Sequence, residues 1–347
     1  MRLFCGGANG KGCNRYTPCG MPLSNTTPIT EDMYEASRHG MFSRQRNAGL
    51  VISGPIRDGF WTRAKWVMAH IEWAQLVRVP FKVDYRSSRD NYYAKNASGD
   101  GWTQYFEPIH KIPSGFKLVA LDCSASARAW EYMAGYTRDY RDYRRQVILR
   151  SSLIDTIPIR PREHFVKLAD AFWNEYFTAA SVVLGVHIRG TDHLFKTSLD
   201  FYLPFVRDFV CAHPGSDIFL STDDTKLLKH FLNATAQVPT RVITTSSIRS
   251  TGHMNAGVHA HRLGLSENSE TLGTDVMVDT ILLSRTTFLL KGISSVSEFA
   301  TYLSPHLRRA NATFNFGIKS GPQPLPAWKN ACTRTIGNKE KKVIRFL

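Results

Sequence analysis

Along the second half of the chain, short β-branched apolar runs alternate with longer stretches at helical spacing. The strongest run is Val182-Val183-Leu184-Gly185-Val186-His187-Ile188-Arg189-Gly190-Thr191-Asp192, apolar at first and abruptly polar at its end. That is the pattern of a buried parallel strand that delivers polar side chains to its C-terminal end. Downstream, the pattern predicts a helix over 199–212, a strand over 217–221, a helix over 222–234 and a strand over 241–244. A loop rich in Ser, Thr, Gly and His runs to Gly273, followed by a helix over 275–284, a strand over 287–292 and a helix over 296–303. Strands alternating with helices of this length predict an α/β fold with a parallel, doubly wound sheet.

The first half has a weaker rhythm. Residues 1–45 are rich in Gly, Pro, Asn, Thr and Cys without sustained periodicity, and are expected to form an irregular leader. From Gly49 the pattern turns globular: a helix over 60–77 carrying Trp61, Ala64, Val67, Met68, Ile71 and Leu76, then a short strand over 80–85. An aromatic loop is expected over 101–108. A second long helix is expected over 161–178, with Pro161 in its first turn and Glu163 at the positive end of its dipole. The organisation this implies is a leader (1–45), an N-terminal α/β domain (46–160), a C-terminal Rossmann-like domain (161–320) and a peripheral tail (321–347).

Composition narrows the partners. A chain of 347 residues is long enough for two cores, and its net charge of +15 favours anionic partners such as phosphorylated small molecules, nucleic acid or a membrane surface. The cations are scattered, however. The densest cluster, Arg138 to Arg145 with Arg150, is interleaved with Tyr136, Tyr140, Tyr143 and two aspartates. It reads as a nucleic-acid strip or as the solvated face of a helix or loop, and the second is favoured. No nucleic-acid motif is present, and no nucleic-acid partner is expected. The six cysteines show no Cys-x-x-Cys spacing and suggest no disulfide framework; Cys211, in an apolar helical stretch, reads as core. No apolar run of transmembrane length and no signal-peptide h-region is visible. Sequons at Asn25, Asn96, Asn233 and Asn311 lean slightly towards a secretory lumen.

Three predicted strand ends carry polar residues: His187-x-Arg189-x-Thr191-Asp192, Ser221-Thr222-Asp223-Asp224 and Lys291-Gly292-Ile293-Ser294-Ser295. In a doubly wound sheet they face one edge and can converge on one ligand. Arg189 suits a phosphate with its planar fork of donors. Gly292 with two serines before a helix suits a phosphate cradle, although Ser294 and Ser295 also suit capping. For Asp223 and Asp224, helix capping is the plainer reading. Asp279 interrupts the apolar helix at Val278-Asp279-Thr280 and needs a partner, either a guanine N1–H and N2–H₂ edge or an arginine elsewhere in the core. Trp102, Tyr105 and Phe106 suit core packing more than stacking on a sugar.

The order His-x-Arg-x-Thr-Asp, strand-Thr-Asp-Asp-x-x-Leu-Leu, Asp-x-x-x-Leu-Ser and Ser-Ser before a helix resembles the GDP-fucose-dependent fucosyltransferases. The resemblance runs over about 182–316. It is nearest to the α-1,6-fucosyltransferases, including the nodulation type, and more distant from the protein O-fucosyltransferases. It implies a GT-B-like fold of two Rossmann-like domains facing a cleft, the C-terminal one binding the nucleotide sugar. It implies an inverting transfer of fucose from GDP-fucose to a glycan or glycoprotein hydroxyl, with no metal and no cofactor besides the donor.

By position, Arg189 matches the arginine that holds the donor β-phosphate, and His187 the residue whose backbone sits beside the guanine. Asp279 matches the aspartate that reads the guanine edge, and Ser294 and Ser295 the serines near the pyrophosphate. Asp223 and Asp224 match an acidic pair needed for activity. The segment from Asn255 through His259 to Asn268 resembles the loop that closes over the nucleotide.

Two positions depart from the pattern. The second of two consecutive arginines is Gly190 here, and the glutamate expected after Asp192 is replaced by His193-Leu194-Phe195-Lys196-Thr197. The linkage and the base stay open; Asp192 and His193 join Arg189 as catalytic candidates, with Asp200 and Glu107 as further candidates for the base. Two alternatives share the fold: transfer from another nucleotide sugar, and a catalytically inactive protein that binds a glycan or nucleotide. The Golgi or another secretory lumen is the expected compartment.

Overall fold

A computed structural model describes residues 48–52, 60–76, 78–83, 101–109, 112–120, 139–157, 159–179, 181–190, 198–250 and 269–333. The chain divides into two compact units. The first is Met1–Tyr136 with Ser152–Arg162, and the second is Thr137–Ser151 with Glu163–Leu347. The second unit is therefore not one continuous stretch beginning near residue 161.

In the first unit, β1 (Ala48–Ile52) pairs in parallel with β2 (Phe81–Val83) on one side and β3 (Lys117–Ala120) on the other. Helix α1 (Phe60–Leu76) follows β1 and buries Trp61, Ala64, Val67, Met68 and Ile71. The expected aromatic loop begins instead with a short helix, α2 (Gly101–Tyr105). Trp102 stacks on Phe106 with ring centroids 4.2 Å apart, and Tyr105 meets Phe60 edge-on at 4.8 Å. All of these rings are buried, so they are core and offer no face to a sugar.

The second unit contains α3 (Tyr140–Thr156) up to Ser151, then α4 (Glu163–Tyr176), β4 (Val183–Ile188), α5 (Leu199–Ala212), β5 (Asp217–Thr222) and α6 (Thr225–Thr235). It continues with β6 (Arg241–Ile243), α7 (Ser269–Ser284), β7 (Phe288–Lys291), α8 (Ser295–Leu303) and β8 (Thr313–Asn315). The strands form one parallel sheet in the order β6-β5-β4-β7-β8. Alternation along the strands sorts its two faces. Leu184, Val186, Ile188, Ile218, Leu220, Phe288 and Leu290 join Leu199, Tyr202, Val206, Phe209 and Phe231 in one core against α5 and α6. The residues between them face α7 and its neighbours: Phe219 meets Phe172 of α4, and Ser221 meets Asp279 of α7.

Three expectations change. Arg141, Arg144, Arg145 and Arg150 of the basic cluster lie on α3; Arg141 and Arg145 are exposed, as a solvated face requires, but Arg150 is buried with Tyr143, Val147 and Ser151, while Arg138 lies outside the described residues. Cys211 is not a core thiol; it forms a disulfide with Cys332. The segment after Gly317 is not peripheral as far as residue 333. Trp328 packs against Phe205, Phe209 and Phe288, and Lys329 pairs with Asp208. Among the described residues no helix is long and apolar enough to cross a membrane.

Candidate functional site

Because every strand of the large sheet is parallel, all the C-terminal strand ends lie on one edge. The register aligns Ser221 of β5, His187 of β4, Lys291 of β7 and Asn315 of β8 in a single row across four strands. All four are buried. A row of polar residues in an otherwise apolar sheet marks the level at which the core ends and the ligand edge begins.

Directly above this row, Arg189 leaves β4 with its Nε 3.4 Å from Oδ2 of Asp223. The other oxygen of Asp223 accepts a 2.7 Å hydrogen bond from the Gly190 backbone N–H. Asp223 thus ties the turn after β4 to the end of β5. Asp224 acts differently. As the N-cap of α6 it accepts from the backbone N–H groups of Lys226 and Leu227. The capping role expected of the pair belongs to Asp224 alone. Gly190 presses on the start of α6, where a Cβ would lie 2.6 Å from Cβ of Asp224 and 2.5 Å from Cδ1 of Leu227. A second arginine in this position would not fit the backbone as it runs here. The His187 carbonyl accepts from the Tyr202 hydroxyl at 3.3 Å.

Asp279 lies on α7 beneath the end of β5. Its Oδ2 accepts from the Ser221 hydroxyl at 2.9 Å and its Oδ1 from the Thr245 hydroxyl at 2.6 Å. Burial pushes its carboxyl up to about 6, against the opposing pull of those two hydroxyls and of the Arg249 charge, with Asp275 adding a smaller push upward. A carboxylate has about four acceptor positions, so one on each oxygen remains for a paired donor.

Helix α8 starts at Ser295 with Ser294 as N-cap, and the Ser294 hydroxyl makes no capping hydrogen bond. The N–H groups of the first turn are therefore not taken by the side chain at the cap position, which suits them to an anionic ligand. Lys291 does not reach for the edge. It is fully buried, its Nζ has no hydrogen-bond partner among the described residues, and it lies 4.9 Å from the centre of the Tyr143 ring. Burial brings its ammonium down to about 8, opposed by the Glu298 carboxylate and reinforced by Arg150. Glu298 in turn sits 3.6 Å from Arg150, whose Nη1 donates to the Tyr302 hydroxyl at 2.7 Å.

Asp192, His193 and His259, with the rest of the 255–268 segment, lie outside the described residues. Asp200 is exposed and accepts from the Ser198 hydroxyl at 3.0 Å, as part of the α5 N-terminus. Glu107 is exposed in the first unit, with its carbonyl taken by the Trp102 indole N–H. Among the described residues no group of three or more His, Cys, Asp or Glu could hold a metal ion. Thr245 and Arg249 were not singled out by sequence pattern; the only signal is an arginine set among Ser and Thr immediately before the expected closing loop.

No family profile and no curated protein sequence matches this chain. Among solved structures it is similar to the fucosyltransferase NodZ from Bradyrhizobium, at 16% identity over 74% of this chain and 94% of that one, with a TM-score of 0.42. It is similar to POFUT1 in complex with GDP-fucose, at 10% identity over 80% of this chain and 99% of that one, with a TM-score of 0.47. It is also similar to a mutant of Arabidopsis thaliana FUT1 in complex with GDP, at 8% identity over 78% of this chain and 72% of that one, with a TM-score of 0.44.

Proposed function

We propose that this protein is an inverting glycosyltransferase of GT-B-like architecture that transfers fucose from GDP-fucose to a glycan or glycoprotein hydroxyl. The observation that carries the reading is the pairing of two unlike elements on one sheet edge. A guanidinium is held in place by Asp223, and a buried carboxylate, Asp279, is presented by two hydroxyls with one acceptor position left on each oxygen. The first suits a diphosphate. The second suits the N1–H and N2–H₂ donors of guanine, which no other common base presents side by side.

In this reading Arg189 and the N–H groups at the start of α8 neutralise the charge that develops on the leaving GDP as the bond between the sugar carbon and the phosphate oxygen breaks. The acceptor oxygen attacks the opposite face and gives its proton to a base, for which Asp192 and His193 are the candidates. His187 supports the nucleoside through its fixed backbone, and His259 belongs to the segment assigned to closure over it. Donor departure needs no metal here. Acceptor recognition is assigned to the first unit. The disulfide between Cys211 and Cys332 supports an oxidising compartment such as the secretory lumen.

The test is calorimetric titration with GDP, UDP and ADP, followed by transfer assays with GDP-fucose and a panel of glycan acceptors. Selective GDP binding that is lost in Arg189→Ala, together with fucose transfer by the wild type, is the expected result. Equal binding of the three nucleotides would end the guanine reading. Full turnover by a folded Arg189→Ala variant would end the phosphate role.

A further inference from the structure

The segment 244–250 is fastened at both ends of the candidate site. Arg249 makes the larger share of the fastening. Its Nε donates to the Thr222 carbonyl at 3.2 Å, Nη1 to the Ser247 carbonyl at 3.0 Å, and Nη2 to the Thr244 hydroxyl and the Thr245 carbonyl, each at 2.7 Å. These four acceptors are neutral, so the half-buried guanidinium keeps its full charge near Asp279 and Asp275. Beyond it, the Ser250 N–H donates to the Asp223 carbonyl at 2.9 Å, and the Ser250 carbonyl accepts from Thr225 at 3.0 Å. On the other side, the Ile248 N–H donates to Asp275 of α7 at 2.9 Å. The strap thus reaches from the residue that holds Arg189 to the helix that carries Asp279.

What the strap delivers is a hydroxyl. Thr245 donates to Asp279 at 2.6 Å, and its oxygen is 2.9 Å from the Ser247 hydroxyl. With the Thr245 proton on Asp279, Ser247 must donate to Thr245, and the chain of hydroxyls runs in one direction toward the carboxylate. Such a chain strengthens each of its bonds and favours the ionised acid. If the acid were protonated, its single proton would either turn back along the chain toward Thr245 or face the ligand as a donor, and the carboxyl would no longer offer an acceptor on each oxygen.

We infer that Arg249 is a positioning residue that sets nucleobase selectivity: by pinning the 244–250 strap it holds the Thr245 hydroxyl against Asp279 and keeps that side chain an acceptor. The inference rests on the guanine reading of Asp279 for its ligand, but its local content does not. The hydrogen bonds of Arg249 described above all go to protein atoms. The charged groups bearing on Asp279 are Arg249 from the strap and Asp275 from its own helix; His187 lies one strand from Ser221, in register with it.

The test uses the full chain and three variants, Arg249→Ala, Arg249→Lys and Thr245→Val, each checked for folding by circular dichroism and thermal melting. Two quantities are read: the titration midpoint of the Asp279 carboxyl in the free protein by carbon-13 NMR, and the affinity ratio of GDP to ADP from pH 5 to 8. Thr245→Val removes one hydroxyl without changing shape. It is expected to raise the midpoint and to lower the GDP-to-ADP ratio about tenfold, the worth of one charge-assisted hydrogen bond. Arg249→Ala is expected to do at least as much, and Arg249→Lys to recover part of it, because lysine restores the charge without the fork of donors.

An unmoved Asp279 midpoint in folded Arg249→Ala and Thr245→Val would overturn the inference, whatever the protein binds. A raised midpoint in variants of a protein that never prefers GDP would uphold the positioning role and reject the guanine reading instead.

Discussion

Asp223 grips Gly190 and Arg189 with the two oxygens of one carboxylate, 2.7 Å from the backbone N–H of the first and 3.4 Å from the Nε of the second. A strand end would otherwise leave an arginine free to swing; here its base and its head are fixed by one side chain from the next strand. Two substitutions separate the halves of this relationship. Gly190→Ala places a methyl within 2.6 Å of Cβ of Asp224, an atom that cannot swing away, so the turn after β4 must move. It should cost about 1–3 kcal/mol in urea denaturation and weaken GDP binding through displacement of Arg189. Asp223→Asn keeps an acceptor for Gly190 and removes the charge beside Arg189. It should leave stability within about 1 kcal/mol, because the pair is partly solvated, while lowering GDP-fucose turnover. Equal turnover in both variants and the wild type would mean that Arg189 needs no holder.

Asp279 has a stability signature of its own. Its carboxyl is raised from an ordinary 3.8 to about 6, so the folded state holds its proton more tightly than the unfolded chain. Stability from this group is complete below pH 3.8 and is lost as pH rises through about 6. The shift corresponds to a cost of up to about 3 kcal/mol at neutral pH. Asp279→Asn removes that cost. The variant should be more stable than the wild type at pH 7, should lack the share of the decline between pH 4 and 6 that Asp279 contributes, and should lose its preference for GDP. A more stable but nonselective variant is what a residue retained for binding rather than for folding would give. A variant less stable at pH 7 would show that the two hydroxyls outweigh the burial.

Much of the second unit was legible because its signals are local. Strands β4, β5 and β7 are short apolar runs ending in polar residues, and helix 199–212 was bounded by its pattern as it is in the structure. The rest is set by tertiary contacts. Helix α3 carries an arginine and a serine at core positions, which hides its buried face from hydrophobic periodicity. Helix α7 begins at Ser269, ahead of Gly273, because a glycine inside a helix is tolerated when the helix packs. Strand β8 has three residues and too little pattern to read. In the site, Arg189, Asp223 and Asp279 stood out as charges at strand ends or inside an apolar helix. Thr245 and Arg249 did not, since their role depends on what the strap touches. The turn of Lys291 away from the edge could not be read either, because alternation gives its face and not its partners.

Lys291 predicts an opposite pH trend to that of Asp279. Its ammonium is lowered from an ordinary 10.5 to about 8, so the unfolded chain binds the proton more tightly. Stability from this group should therefore rise as pH increases from about 8 to 10.5. Lys291→Met keeps the length of the side chain and removes the buried charge beside Tyr143. Glu298 retains Arg150 as a partner at 3.6 Å, so no carboxylate is stranded. The variant should equal or exceed wild-type stability at pH 7, and the wild type should gain on it as pH rises from about 8 to 10.5 in guanidinium melts. A large loss of stability at pH 7 would mean that the attraction to Glu298 exceeds the cost of burying the cation.

The link between Cys211 and Cys332 closes a span of 121 residues and fastens the last described turn to α5. Closing a long loop restricts the unfolded chain, and losing such a link commonly costs about 2–5 kcal/mol. The folded state has its own stake in it. Asp208, buried on α5, is neutralised by Lys329 and accepts from the Asn330 N–H at 2.9 Å, and Trp328 covers Phe209 and Phe288. If the turn lifts away, a buried carboxylate loses its partners and an aromatic contact opens to water. Cys332→Ser should therefore lower the melting temperature, and should redden and quench tryptophan emission before the global transition. Treatment of the wild type with reductant should reproduce both effects. Identical melting with and without reductant would show that Asp208–Lys329 pairing and the Trp328 contacts hold the turn without the covalent bond.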